Sequence, residues 1–456
     1  MNRTQPVIGR WTKAFVIALT GAIASVVFTV REMHQQASWL VTSDQSGYPT
    51  FFTNQLLALL NGTFAVPART LGDECYLING ECVGYFGLSP SLLRLPLVVA
   101  LGQYDFTPLL TGLAYVFLTM LSVWLVIDFA NLPMWQGSNF RLLSQRVLLV
   151  GALISAGPGS LALLATRFDV ANEAILWAAV FSTAFALILL RLLFGSGQHA
   201  WLLVVLGLLS ASSRPVGAAY IVGLSAAALI CLKFIPAQRT RLRLSLWLAL
   251  FSAPASVLLT FRAKFGSWLP DTGTYVFAQK SPLWQGLLDQ HGGSLTGLIF
   301  MPTQLWALVR PDAVHIEWMF PRGAFYTPVY QVWPLDAGGS LVEPSPSLTT
   351  LAPTAIGLTV LALTVPWFLR NSIWRSLRFG SALVLGASVG LGPLLLTGAF
   401  SARYLVDAVP LLVLGTAVGV TAIAALRLGR LLRWLVALVI LASAVGGWGL
   451  LLVVMR

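Results

Sequence analysis

AILWAAVFSTAFALILLRLLF, residues 174–194, carries a single charge, Arg191, in twenty-one positions. A helix needs about 20 apolar residues to cross the roughly 30 Å hydrocarbon core of a bilayer. No water is available there, so each backbone N–H and C=O must be satisfied within the segment itself. The stretch therefore reads as a membrane span, and the pattern recurs on both sides of it. Candidate spans are 14–30, 107–129, 147–165, 174–194, 200–213, 215–232, 244–261, 351–369, 379–398, 408–425 and 434–453, about eleven in all. Residues 89–101 (SPSLLRLPLVVAL) are apolar but short, and read as an interfacial or re-entrant helix.

Composition agrees. The chain is 57% hydrophobic and 10% charged, with a mean hydropathy of +0.81, whereas a soluble domain carries about 25% charged residues. The expected fold class is all-α: one polytopic transmembrane domain over residues 1–456. Two long outer loops interrupt it, at 31–106 and 262–350. The net charge of +12 would suggest nucleic acid in a soluble chain, but here the basic residues sit at span ends, and no nucleic-acid partner is expected. Arg3, Arg10 and Lys13 precede the first apolar run as they would in a signal peptide. No small-x-small cleavage site follows, so this run reads as a retained span.

Charge sets the topology. With the N-terminus cytoplasmic, the inner segments together with Arg191 hold sixteen of the twenty-eight Lys and Arg residues, as the positive-inside rule requires. Of the sixteen carboxylates only Asp128 falls near the inner surface. Acid is present even in the short outer turns, at Asp169, Glu173 and Asp407, which loop length alone does not explain. This places any chemistry on the outer face of a plasma (inner) membrane. Tryptophans at 268, 284, 306, 318 and 333 place the second loop near the headgroups.

Cys75 and Cys82 lie in the first outer loop, in an oxidising space that permits a disulfide. Asn79-Gly80 between them signals a type I′ hairpin. A two-residue turn sets Cys82 opposite Leu77 and leaves Cys75 diagonal, at about 7–8 Å. A disulfide with a looser turn is therefore expected. The four histidines show no pair at ligand spacing, so no metal site is assigned.

Absences narrow the chemistry. There is no GxxxxGK[ST] loop, no dinucleotide GxGxxG after a strand and no DxD pair. This points away from a soluble nucleotide donor and toward one already in the lipid. Three outer constellations stand out: Asp44 in SDQSGYP; Arg167, Asp169 and Glu173 in TRFDVANEAILW; and Arg403, Tyr404 and Asp407 in SARYLVDAVP. Arg214 in SSRPVG adds a cation. Each has a plain structural alternative. Asp169 can cap a helix and Glu173 can complement its dipole. Arg403 and Asp407, four apart, can form a helix ion pair. Arg214 can snorkel. Asp169 and Glu173 on one helical face repel, however, and need a cation, a metal or a raised pKa.

GYFGLSPSLLRLP, NEAILW, LSASSRPVG and SARYLVDAVP resemble outer-turn segments of the GT-C membrane glycosyltransferases, and FFTNQLLALLNGTFAVP resembles a helix in uncharacterised actinobacterial members. The resemblance implies an enzyme that transfers a sugar from a polyprenyl-phosphate donor to a glycan or lipid acceptor of the cell envelope, among membrane lipids. A lipid phosphate is a good leaving group, so one carboxylate base suffices. Asp44 is the first choice for it, with Asp73 or Glu74 behind. Thr53, Asn54 and Gln55 stand where such proteins tend to carry an Asp. Arg403 and Arg214 would bind the phosphate. Asp169, Glu173, Tyr404 and Asp407 would line the substrate site; Asp169 and Glu173 would orient the acceptor or hold a divalent cation if one is needed. Tyr85 and Phe86 would stack on sugar faces. A polymerase or ligase of lipid-linked glycans fits the same loops. A transporter or flippase and a non-catalytic scaffold are the readings from other classes, though a transporter would place ionisable groups nearer mid-membrane.

Overall fold

A computed structural model describes residues 41–42, 51–102, 104–130, 161, 170–194, 199–234, 240–309, 315–319, 322–326, 331–333, 340–342, 347–368, 372–425 and 438. The first long loop contributes helix α1 (Phe51–Leu60). A bundle begins with α2 (Thr107–Ala130), α3 (Val170–Phe194), α4 (Trp201–Ala211), α5 (Pro215–Cys231) and α6 (Thr240–Phe265). The second long loop carries the short helices α7 (Val276–Lys280), α8 (Pro282–Gln290) and α9 (Met301–Val309). The bundle resumes with α10 (Pro353–Phe368), α11 (Ser372–Ser388) and α12 (Val409–Ala425).

Among the described residues five helical segments are long and apolar enough to cross a membrane: Thr107–Phe129, Ala171–Phe194, Thr240–Phe265, Leu377–Leu395 and Arg403–Ile423. The protein is a helical membrane protein. The predicted spans from 107–129 and from 174–194 through 408–425 overlap the bundle helices, while 14–30 and 434–453 and nearly all of 147–165 lie outside the described residues. The run at 200–213 forms only an eleven-residue helix, roughly 16 Å long at 1.5 Å per residue. The span placed at 379–398 begins earlier, at Ser372, because its basic first turns continue the helix.

Hydroxyls inside these helices turn back onto their own backbone, as an apolar solvent demands. Thr119 donates to the Tyr115 carbonyl, Ser122 to Leu118, Thr359 to Ala355 and Thr421 to Ala417. Small residues let helix backbones approach closely. At the α5–α11 crossing, a Cβ on Gly223 would stand 1.9 Å from the Gly386 carbonyl oxygen, and one on Gly386 would stand 2.5 Å from the Gly223 oxygen. α6 turns Leu244, Trp247, Leu248, Phe251 and Leu259 outward, an apolar face suited to lipid.

The structure is mostly helical, and short strands form in the loops; of these only the hairpin at Asn79-Gly80 was expected from the sequence. β1 (Val41–Thr42) pairs antiparallel with β4 (Tyr104–Asp105), and β2 (Tyr76–Ile78) with β3 (Glu81–Val83). In the second loop β5 (His315–Met319) pairs with β6 (Arg322–Tyr326). β7 (Gln331–Trp333) and β8 (Ser340–Val342) extend to β9 (Ala399–Phe400) before α12. Backbone polar groups in a loop too long to remain helical find partners this way.

The β2–β3 hairpin has the expected register, with Leu77 opposite Cys82, and positive φ at both Asn79 (53°) and Gly80 (84°). The disulfide Cys75–Cys82 is formed as well. The expectation of a looser turn is therefore wrong. The diagonal Cα–Cα distance is 5.5 Å, because the twist of a two-stranded ribbon brings one diagonal closer than a flat ladder would.

The two long loops fold onto each other as a cap. Tyr76 bridges Tyr275, and the Val276 N–H donates to the Cys75 carbonyl at 2.9 Å. Thr296 bridges Thr397, fastening the second loop to the segment before α12. The cap covers the bundle end that holds the starts of α2, α3, α5, α10 and α12. Replacing Gly223 by Ala should lower the apparent Tm of the detergent-solubilised protein, by the ~1–3 kcal/mol typical of overpacking. Gly112→Ala, at a position with open space around it, should leave the Tm unchanged. Equal Tm for both variants would contradict the crossing.

Candidate active site under the cap

The cap is anchored by a buried ion pair. Arg94 lies between the short helices Ser89–Leu92 and Leu95–Leu101, and Glu173 lies in the first turn of α3. Both side chains are 0% exposed. Arg94 grips Glu173 with both terminal nitrogens, Nη1 to Oε1 at 2.6 Å and Nη2 to Oε2 at 2.7 Å. The same nitrogens donate to the Pro90 carbonyl at 2.8 Å and the Thr107 hydroxyl at 2.9 Å, and the guanidinium lies 5.1 Å from the Phe52 ring centroid. The planar fork of arginine matches a carboxylate in this way, and lysine would not.

Local sequence explains why the segment reaches this position. Gly87 passes so close to the α4–α5 turn that a Cβ would lie 2.0 Å from the Ser212 carbonyl oxygen. The Ser89 N–H donates to that oxygen at 2.9 Å, and the Ser89 hydroxyl donates to the Leu209 carbonyl at 2.9 Å. Phe86 packs with Phe51 and Phe52 in the cap core. Lys264, at the end of α6, is also buried; it donates to the carbonyls of Gly84 (3.0 Å) and Phe86 (2.5 Å). With its amide oxygen turned toward the ammonium, Gln55 accepts from Lys264 at 2.9 Å and donates to the Gly87 carbonyl at 3.1 Å.

These contacts correct several expectations. Glu173 is sealed from solvent and neutralised by Arg94, so it does not orient an acceptor. Arg94 also stands where the divalent cation shared with Asp169 was expected; Asp169 itself lies outside the described residues. Phe86 is a core residue and offers no sugar face. Gln55 and Thr53 are buried, and Gln55 is spent on the Lys264 network. Among the described residues no group of three or more His, Cys, Asp and Glu side chains stands close enough to hold a metal ion.

A second cluster is open to solvent. Glu74, from the short 3₁₀ turn Gly72–Glu74, accepts from the Tyr275 hydroxyl on Oε2 at 2.6 Å. Its Oε1 lies 3.4 Å from Arg403 Nη2. Two guanidiniums lie against the Tyr404 ring, with the Arg214 carbon 5.0 Å and the Arg403 carbon 5.9 Å from its centroid. Arg214 Nη2 approaches Asp407 Oδ2 at 3.3 Å, and Tyr220 donates to the Asp407 backbone carbonyl at 2.8 Å. The side chains of Arg214, Arg403 and Glu74 are 17%, 22% and 17% exposed, while Asp407 is sealed at 1%. The Arg403–Asp407 helix pair does not form. Residues 402–408 are a 3₁₀ helix, in which positions i and i+3 eclipse and i and i+4 diverge.

Tyr85 lies beside this cluster, half-buried, stacked on Phe86 at 4.1 Å and edge-on to Tyr275 at 6.5 Å. Burial pushes the phenols of Tyr85 and Tyr275 well above the usual tyrosine range, and the Glu74 charge pushes both further. Both remain proton donors at physiological pH. Asp73, a candidate base, instead forms an exposed ion pair with Lys280 at 2.6 Å, on the outside of the cap. Asp44 lies outside the described residues.

Thus Glu74, Arg214, Arg403, Tyr404, Asp407 and Tyr85 come together from four chain segments, while Asp73, Glu173 and Phe86 serve elsewhere. Arg94, Lys264 and Tyr275 were missed by the sequence reading. Arg94 did carry a signal, as the only charge in the apolar run SPSLLRLPLVVAL.

The chemistry of this site can do two things. The two guanidiniums offer charge-assisted donors to an anion, and the partly exposed carboxylate can accept a proton. Breaking the buried anchor should be severe: Glu173→Gln leaves Arg94 buried without its counter-charge and should lower unfolding stability by about 3–5 kcal/mol. The double change Arg94→Leu with Glu173→Leu should recover most of that loss, as read by thermal unfolding in detergent. No family model, no curated protein and no solved structure matches the chain.

Proposed function

We propose that this protein is a membrane glycosyltransferase of the GT-C type. It would transfer a sugar from a polyprenyl-phosphate donor to a cell-envelope acceptor at the outer face of the plasma membrane. The observation that carries the reading is the cluster under the cap, where Glu74 faces Arg403, and Arg403 and Arg214 both lie against the ring of Tyr404. A leaving phosphate requires positive donors, and an attacking hydroxyl requires a base within hydrogen-bond reach. Both are present within one cluster at the end of a membrane bundle.

Sidedness follows from charge. Arg191, Lys233, Arg241, Arg243 and Arg378 gather at the end of the bundle away from the cap, and cytoplasmic ends carry such an excess. The cap, with its disulfide, belongs on the oxidising side.

The roles are these. Glu74 takes the proton of the acceptor hydroxyl as its oxygen bonds to the anomeric carbon. The bond from that carbon to the donor phosphate oxygen breaks, and the electron pair leaves on the phosphate. Arg403 and Arg214 hold the phosphate before and after departure. The Arg403–Glu74 contact of 3.4 Å is longer than the 2.7–2.9 Å of a committed charge-assisted bond, so an arriving phosphate can draw Arg403 away and release the carboxylate. Asp407 keeps Arg214 in place from below. Glu74 replaces Asp44 as the preferred base because its surroundings supply both partners the reaction needs.

The transporter reading finds less support. In the bundle helices the charged side chains, such as Asp128, Arg191, Arg262 and Lys264, lie in terminal turns, and transport sites sit near the midplane. The test is transfer of label from a panel of polyprenyl-phosphate sugars to membrane acceptors. Glu74→Gln should lower kcat by about 100-fold or more, with donor KM little changed. Arg403→Ala should raise donor KM. Wild-type transfer that survives Glu74→Gln intact would remove Glu74 from the chemistry.

A further inference from the structure

Glu74 receives its shortest contact from the other long loop, 201 positions away in sequence. We infer that Tyr275 is a positioning residue for Glu74: its phenol fixes Oε2, so that Oε1 is the oxygen presented to Arg403 and to an incoming proton. The catalytic consequence rests on the transferase reading above; the geometry does not.

Three independent restraints hold the phenol in place. The Tyr275 backbone bridges Tyr76, and the next N–H, of Val276, donates to Cys75, the residue after Glu74. The Tyr275 ring is stacked on Tyr76 at 4.8 Å and 24°, and Tyr85 closes on it edge-on. The Cys75–Cys82 disulfide begins at the residue next to Glu74, so the carboxylate adjoins the cross-linked hairpin to which the Tyr275 backbone is bridged. A tyrosine needed only for packing would be served by its ring. The hydroxyl of Tyr275 is instead aimed at a carboxylate that is 17% exposed and faces an arginine. Because the phenol remains protonated, this hydrogen bond persists across the physiological pH range.

The consequence is that the second loop controls the geometry of a group on the first. A carboxylate with both oxygens loose would sample rotamers; one held at Oε2 keeps Oε1 in a single place beside Arg403.

Two measurements on the full-length protein in detergent test this. The first is labelling of Glu74 by a water-soluble carbodiimide with an amine, read by mass spectrometry, with Asp73 as internal reference. In Tyr275→Phe the rate at Glu74 should rise severalfold while that at Asp73 stays constant. The second is the transfer assay: Tyr275→Phe should lower kcat by about 10- to 100-fold, the range of a hydrogen bond to a charged group, with donor KM and Tm unchanged. In the Glu74→Gln background the same change should have no further effect. Unchanged labelling at Glu74, or a kcat loss fully additive with Glu74→Gln, would overturn the inference. Altered labelling in a protein whose wild type transfers no sugar would support the positioning and reject the transferase reading.

Discussion

The bidentate pair between Arg94 and Glu173 is the constraint on which the rest of the molecule depends. Two charges fully removed from water are tolerated only when each satisfies the other and most of the remaining donors find acceptors. Here Pro90 and Thr107 take the second hydrogens of the two terminal nitrogens, while Nε is left without an acceptor among the described residues, and the α3 N-terminus adds the favourable end of its dipole. The result is a fixed point between a loop and a membrane helix. From it the loop runs back through Phe86 and Gly84 to the disulfide hairpin, with Lys264 tying that return path to α6. Glu74 sits at the far end of this chain of contacts, and its position relative to Arg403 is inherited from the anchor.

The two charged clusters differ in a way that separates structure from chemistry. At Arg94 and Glu173 both carboxylate oxygens and both terminal nitrogens are paired out of contact with solvent. At Glu74, Arg403 and Arg214 the distances are longer, the side chains reach solvent and the partners are aromatic faces as well as ions. A site that must bind, react and release needs partners that can be exchanged, and the second cluster has them. In the proposed function the chemistry therefore falls to the loose cluster and the architecture to the tight one.

Much of the fold was legible in the sequence because hydropathy dominates it. Residues 107–129 and 215–232 had no strong alternative to a helix, since lipid leaves none. The Asn79-Gly80 turn was legible for the same kind of reason: only residues tolerating positive φ fit it. Outer-turn acids and cations at Glu173, Arg214, Arg403 and Asp407 were visible as charges out of place. What could not be read was who meets whom. Arg94 and Glu173 are 79 positions apart, and Glu74 and Arg403 are 329 apart; such pairings are set by how the loops fold over the bundle. The local alternative, an Arg403–Asp407 helix pair, failed because the segment winds as 3₁₀. Nothing in the local sequence around Tyr275 and Lys264 marks them out, since their partners Glu74 and Gly84 are 201 and 180 positions away.

The central claim is that Arg403, Arg214 and Tyr404 form the phosphate end of a lipid-donor site. It is tested most directly by binding of the phosphate product without turnover. Purified protein in nanodiscs would be titrated with a labelled polyprenyl phosphate, alongside the same protein carrying Arg403→Ala and Arg214→Ala together, with Tm recorded for both. The wild type should show saturable one-to-one binding, weakened at least about tenfold in the folded double variant, as loss of charge-assisted bonds implies. Equal affinity in the two proteins, or no saturable binding by the wild type, would contradict it.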